Sequence, residues 1–316
     1  MAATTTPQRK IDSGFGPRTS ASEVLRGIDL TDTLALVTGG YSGIGLETTR
    51  ALVGAGARVI VAGRRPEEAR KAVAGLDRTE VAELDLGDLA SVARFADAFL
   101  ASGRALPIVI NNAGIMAAPL TRVGPGWEAQ FATNHLGHFA LVNRLWPAIA
   151  RAGGARVVAV SSRGHQISPI RWEDVQFDQG YDKWQAYGQA KTANVLFAAR
   201  LDVLGRESGV RAFSLHPGAI LTPLQRHLTR AEMVERGWMD AEGNLLDPTF
   251  KTPEQGAATQ VWAATSPRLS GLGGAYCVDC DIAEPEAVRE YALDPGEAER
   301  LWSLSAELTG VDAFAG

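Results

Sequence analysis

Tyr187 and Lys191 stand four residues apart in Tyr187–Leu204, where Val195, Leu196, Ala199 and Val203 recur at helical spacing. On a helix that separation places both on one face. A phenol with a reference pKa of about 10 is a poor acid for a developing alkoxide at neutral pH, and bringing it near 7 takes roughly 4 kcal/mol of differential stabilisation. A nearby cation in a partly dry site can supply that. A lone Y-x-x-x-K is more often a surface pair, so its weight depends on its companions. Ser161-Ser162 closes an apolar run, where a hydroxyl can hold a carbonyl oxygen, although serine there commonly forms turns. Asn134 falls inside the helical stretch Trp127–Ala150, a mediocre position for asparagine, so its amide either serves a site or faces solvent.

These side chains need a frame, and Leu34–Gly45, reading L-A-L-V-T-G-G-Y-S-G-I-G, supplies its first piece. Leu34–Val37 reads as a buried strand, and Leu46-Glu47-Thr48 opens a helical pattern after the glycines. A strand, a Gly-rich turn and a helix N-terminus together offer unpaired N–H groups and a favourable dipole to a phosphate. Gly39 allows the tight turn, Gly43 a close approach of backbone to pyrophosphate, and Gly45 packing of helix on strand. The spacing is T-G-x-x-x-G-x-G and carries little weight alone.

Strands are expected at 34–38, 58–62, 80–84, 108–110, 156–161, 210–215 and 274–278. Helices are expected between them at 45–54, 66–75, 88–102, 127–150, 187–204 and 253–265, and in the tail at 286–293 and 295–308. A short helix at 22–27 precedes them. This alternation predicts an α/β fold: a Rossmann-type, doubly wound parallel sheet of about seven strands with helices on both faces. Ligands then sit beyond the carboxyl ends of the strands. The unusual stretches Thr38–Gly45, Gly63–Arg65, Asp85, Asn111–Gly114, Ser161–Ser162 and His216–Thr222 each follow a strand. The expected organisation is an N-terminal extension (1–29), a single dinucleotide-binding and catalytic domain (30–283) with 222–252 as a substrate lid, and a C-terminal helical tail (284–316). Residues 1–20, rich in Thr, Ser, Pro and Gly, are expected to be extended or partly disordered at the start.

The 316 residues are 46% hydrophobic and 21% charged, the balance of a soluble globular enzyme. A net charge of −5 without a basic stripe argues against nucleic acid as a partner. With 2 Cys, no apolar leader and no run near 18 apolar residues, the expectation is a cytoplasmic protein without a membrane span or disulfide framework. Cys277-x-x-Cys280 has no second pair, and His135 and His138, three apart, lack an acidic companion. No metal site is read from either.

T-G-x-x-x-G-x-G, N-N-A-G at 111–114, Asn134, Ser162, Y-x-x-x-K at 187–191 and P-G-x-I-x-T at 217–222 come in the order of the short-chain dehydrogenase/reductase family. The resemblance covers about Leu30 to Cys280. N-H-L-G-H-F (Asn134–Phe139) and the long Ser–Tyr loop look like its retinol-dehydrogenase and WW-domain-oxidoreductase-like branch. The resemblance implies that Tyr187 is the general acid in reduction and the base in oxidation, interconverting an alcohol with a ketone or aldehyde. Lys191 would bind the nicotinamide ribose and depress the Tyr187 pKa. Ser162 would hold the carbonyl oxygen, and Asn134 a water linking Lys191 to solvent. Gly39, Ser42, Gly43, Ile44 and Gly45 would frame the pyrophosphate, and Asp85 and Leu86 would touch adenine. Asn112, Ala113 and Gly114 would line the cleft, while Pro217, Gly218, Ile220 and Thr222 would fix the carboxamide. Homodimers or homotetramers through the helices carrying Asn134 and Tyr187 are also implied.

Ser162 and Tyr187 are 25 positions apart, about twice the spacing of many members, and the extra loop holds Trp172, Phe177, Tyr181 and Trp184. These rings either wall an apolar substrate pocket or anchor the loop. The second strand ends V-A-G-R-R, so Arg64 and Arg65 stand where an acid would pair with the ribose of NAD(H). A guanidinium fork suits a 2′-phosphate, which favours NADP(H). Two rivals are a dinucleotide sensor without catalysis, which has no need of Ser162, Tyr187 and Lys191 together, and a sugar-nucleotide epimerase or dehydratase, whose glycine spacing is usually T-G-x-x-G-x-x-G.

Overall fold

The computed structural model describes residues 6–315. Strand β1 (Leu34–Thr38) alternates its side chains between two cores, Ala35 and Val37 to one face, Leu34 and Leu36 to the other. After it come α2 (Gly43–Gly54), β2 (Arg58–Gly63), α3 (Pro66–Ala72), β3 (Thr79–Glu83), α4 (Leu89–Ala101) and β4 (Ile108–Asn111); the short helix α1 (Ala21–Val24) precedes it, capped by Ser20. A small hairpin, β5 (Arg122–Val123) and β6 (Trp127–Glu128), leads into α5 (Ala129–Phe131), a π-helical turn (Ala132–Leu136) and α6 (Gly137–Arg151). Then follow β7 (Arg156–Val160), α7 (Lys183–Gly205), β8 (Arg211–His216), α8 (Arg230–Glu235), α9 (Pro253–Thr265), β9 (Tyr276–Val278), β10 (Asp281–Ile282), α10 (Glu290–Leu293) and α11 (Pro295–Thr309).

The main sheet runs β10-β9-β8-β7-β4-β1-β2-β3, parallel except for β10, which pairs antiparallel with β9. The expected sheet of about seven strands therefore gains a short edge strand. The order reverses between β1 and β4, so their carboxyl ends open the crevice in which such sheets bind ligands. One core holds Val59, Val61, Ile110, Val158, Phe213 and Trp262 under α1, α2, α3 and α9. The opposite core holds Ile60, Val109, Phe139, Leu145, Phe197 and Trp302 under α4, α6, α7 and α11.

Three sequence expectations change. The helix expected from Trp127 begins with a hairpin strand, because Gly124 and Gly126, at φ 54° and 111°, turn the chain before Trp127 pairs with Val123. α7 starts one turn early, where the Asp182 carboxylate accepts the amides of Trp184 and Gln185. The start of the chain is pinned over its described part: Gln8 Nε2 donates to the carbonyls of Tyr276 and Ala283, and Asp281 accepts from the amides of Ile11 and Ser13, both at 2.9 Å. Residues 1–5, part of the stretch expected to be loose, lie outside the described residues.

The helices expected to form an oligomer interface are covered within the chain. Trp302 of α11 stacks on Phe197 of α7 at 5.9 Å and meets Phe139 of α6 edge-on at 4.8 Å. Among the described residues no helix is long and apolar enough to cross a membrane.

Candidate active site

A cavity of about 680 Å³ lies at the carboxyl ends of β1, β2, β4, β7 and β8. At its floor Gly39 and Gly43 take φ of +65° and +53°; a Cβ on Gly43 would lie 3.3 Å from Thr222. Ser42 precedes α2 without bonding its first turn, so Ser42, Gly43 and Ile44 present an uncapped helix N-terminus to the cavity. Gly45 sits behind them, where a Cβ would collide with Gly39 O and the Asn112 amide; its role is packing. Buried Thr38 fastens the N-N-A-G turn to β1: its Oγ1 accepts the amides of Asn112 and Ala113 at 3.0 and 2.9 Å, and Asn112 Nδ2 donates to Thr38 O. Asn112, Ala113 and Gly114 thus line the cleft.

On α7, Tyr187 and Lys191 share a face, with Lys191 Nζ 5.6 Å from the Tyr187 ring centroid. Both are buried and both line the cavity. Nζ donates to Val160 O at 2.8 Å, which leaves further protons directed to the cleft. The two serines have different partners. Ser161 Oγ is spent on Lys191 O, whereas Ser162 Oγ accepts the Gly164 amide and contacts the Tyr187 phenol. Burial pushes the Tyr187 phenol up to about 12, with only the Ser162 contact lowering it, and burial lowers Lys191 to about 8. The expected lowering of Tyr187 joins Lys191 to the cationic ring of a bound cofactor; among the chain's own groups the Ser162 contact is the one that lowers it.

Asn134 lies in the π-helical turn, and its side chain does not reach the cavity. Its Oδ1 accepts the Ile115 amide and its Nδ2 donates to Ile115 O, both at 2.9 Å, so it holds the strand-end loop after β4. Asp85 also stands back, accepting the Gly87 amide, while Leu84 and Leu86 line the cavity. At the far end Arg64 and Arg65 follow β2; Arg65 bonds Tyr41 and pairs with Glu68 at 2.9 Å, while Arg64 forms no ion pair among the described residues. Arg226, which the sequence reading left in the lid, joins them. Burial and then Arg64 and Arg65 disfavour its charge. Pro217, Gly218, Ile220 and Thr222 line the wall after β8.

The loop aromatics divide between the two alternatives. Trp172 donates to Glu297 at 2.9 Å, Phe177 is buried, and Tyr181 donates to Ala118 O at 2.7 Å, so these anchor the loop. Trp184 lines the cavity beside Trp238, which the sequence places in the lid stretch 222–252, and Phe250, which it does not single out. Their signal was the mixture of Arg and Trp in the stretch between Thr222 and Lys251. His135 and His138 pack in the core: His135 Nε2 bonds Ser305 Oγ at 2.7 Å, and His138 Nε2 bonds Thr38 Oγ1 at 2.9 Å. Burial pushes the thiol of Cys280 up to about 12 and that of Cys277 further.

A doubly wound sheet with a Ser–Tyr–Lys cluster at its carboxyl edge defines a Rossmann-type dehydrogenase architecture. The family profile of short chain dehydrogenase matches residues 33–233. A probable oxidoreductase of Streptomyces lividans is 46% identical over 296 residues, covering 89% of this chain and 98% of that one. Retinol dehydrogenase 12 of Mus musculus is 36% identical over 290 residues, 90% of this chain and 88% of its own. A solved structure of an uncharacterised Mycobacterium paratuberculosis protein aligns with TM-score 0.71 at 33% identity, covering 91% of this chain and 97% of its own. The chain belongs to the short-chain dehydrogenase/reductase family of oxidoreductases, in a retinol-dehydrogenase-like branch.

Proposed function

We propose that this protein is an NADP(H)-dependent oxidoreductase that interconverts an alcohol with a ketone or aldehyde, Tyr187 being the general acid and base. The observation that carries this reading is the meeting of Ser162, Tyr187 and Lys191 in one cleft whose other end gathers Arg64, Arg65 and Arg226. The residues fit a nicotinamide dinucleotide. The uncapped N-terminus of α2 suits the pyrophosphate, the spare protons of Lys191 suit ribose hydroxyls, and the arginines suit a 2′-phosphate.

When bound, the reduced cofactor supplies a hydride to the carbonyl carbon. Ser162 holds the carbonyl oxygen, and Tyr187 transfers its phenolic proton to that oxygen as the C=O π bond is lost. Burial alone leaves the phenol at about 12, protonated at neutral pH but a weak acid, so efficient proton transfer needs the cations that would share the cleft with it, Lys191 and the nicotinamide ring of the oxidised cofactor. The apolar surround of Met116 and Leu228 beside Tyr187 excludes water and suits an apolar substrate. A screen of ketones and alcohols with NADPH and NADP, read by absorbance, tests the reading. Turnover should appear in the parent and fall roughly 10²–10⁴-fold in Tyr187→Phe. Near-normal kcat in that variant would refute the role of Tyr187.

A further inference from the structure

At the substrate end of the cavity stand three arginines that the proton and hydride transfers do not use: Arg163, Arg236 and Arg289. None forms an ion pair among the described residues. Asp247 is the acidic residue among the described residues lining this cavity, and Thr249 and Arg163 hold its carboxyl below the usual range. All three are exposed and line the cavity, so their donors are open to an entering anion.

Arg236 is the best placed. Its Cζ lies 3.5 Å from the Trp184 ring centroid and 5.9 Å from that of Trp238. Trp184 in turn meets Tyr187 edge-on at 6.4 Å, so a single indole separates the guanidinium from the phenol. Stacking occupies the face of the guanidinium and leaves its in-plane N–H donors available. The Arg236 side chain makes no hydrogen bond to the described residues, although five donors are on offer. Around it, Trp238 packs edge-on against Trp184 at 6.3 Å and against Phe250 at 6.3 Å, so the three rings form a continuous aromatic wall of the cavity.

We propose that the substrate is an aromatic carbonyl compound bearing a carboxylate about one ring's length from the reacting carbon, and that Arg236 forks that carboxylate while the ring lies against the wall of Trp184, Trp238 and Phe250. The proposal rests on the reading of Tyr187 as the proton donor. Its probes are 4-formylbenzoate and 4-acetylbenzoate against their neutral methyl esters, matched in ring and carbonyl. In the parent, kcat/KM with NADPH should favour the carboxylates at least tenfold. Arg236→Met, which keeps the stem on Trp184, should cut that ratio at least tenfold, and Arg236→Lys should restore part of it.

Tryptophan quenching by the same four compounds reads binding without turnover. It should show the same preference and the same loss in Arg236→Met. Equal ratios in parent and Arg236→Met, by turnover and quenching alike, would overturn the proposal and leave hydride transfer standing. Preferential quenching by the carboxylates, lost in Arg236→Met, with no turnover of any carbonyl compound would support the anion site and overturn the oxidoreductase reading instead.

Discussion

Of the two arginines after β2, Arg64 and Arg65 are not equivalent. Arg65 is engaged by Tyr41 and Glu68, and its charge is already partly satisfied. Arg64 has no such carboxylate, and beside it Arg226 carries a charge that its surroundings disfavour. Like charges held together in a cleft raise the free energy until an anion joins them. The 2′-phosphate of NADP(H) is such an anion, and each charge-assisted hydrogen bond to it is worth about 1.5–3 kcal/mol before desolvation. One productive contact gives roughly a 10- to 100-fold preference in kcat/KM for NADPH over NADH. Arg64→Asp removes the unpaired fork and adds repulsion, so NADPH should lose far more than NADH. Equal use of both cofactors by the parent, or an unchanged ratio in the variant, would reduce these arginines to surface charges. The sequence carried Arg64 and Arg65 because they close an apolar run. It did not carry Arg226, which lies more than 150 residues further on and arrives only by the fold.

At the scale of elements, what could be read was what repeats locally. Alternating apolar residues marked the parallel strands, and the residues at their carboxyl ends marked the cleft. The misread region is 127–136, where buried Phe131, Ala132 and Leu136 carry a helical period through a hairpin end and a π-turn alike. A π-turn is one residue out of phase with an α-helix, and nothing local signals it; Asn134 owes its place there to two bonds with Ile115, across the chain. The sequence expectation for residues 222–252 is a lid. They hold a 3₁₀ turn (Pro223–His227), α8 and exposed Leu245 and Leu246, with few buried side chains beyond Leu228 and Met239. Their ties to the body include the Lys183–Glu232 and Lys251–Asp279 pairs, Arg18, which donates to Phe250 O at 2.7 Å, and the packing of Arg236 and Trp238 on Trp184. Thin burial between fixed ends suits a segment that opens and closes. Amide exchange across 223–246 should be fast in the free protein and slow on addition of NADPH. Slow exchange that the cofactor leaves unchanged would make the segment a static helix-and-turn cover.

For the whole molecule, buried histidines contribute to its response to acid; burial lowers His165 and His216 too, but His135 and His138 lie under the sheet, within α6 and the turn before it. His135 is enclosed by Phe131, Phe139 and Phe197 at 5.2–6.1 Å and tied to α11 through Ser305. His138 joins α6 to β1 through Thr38. Burial pushes them down to about 3 and about 4. Unfolded, each takes a proton near pH 6.5; folded, neither does until the pH is two units lower or more. Between those limits the unfolded chain binds more protons, so stability falls as pH falls, by up to about 1.4 kcal/mol per pH unit for each histidine. Loss should begin below pH 6.5, ahead of the carboxylates, and should loosen α11 together with the β1 turn that frames the cleft. Calorimetry from pH 7.5 to 4.5 measures this as a falling Tm. His135→Gln keeps a polar group toward Ser305 but cannot titrate. It should be less stable than the parent at pH 7.5 and lose less Tm between pH 6.5 and 4.5, since contributions from other groups cancel in the comparison. Parallel Tm curves for parent and variant would show that His135 does not drive the acid transition.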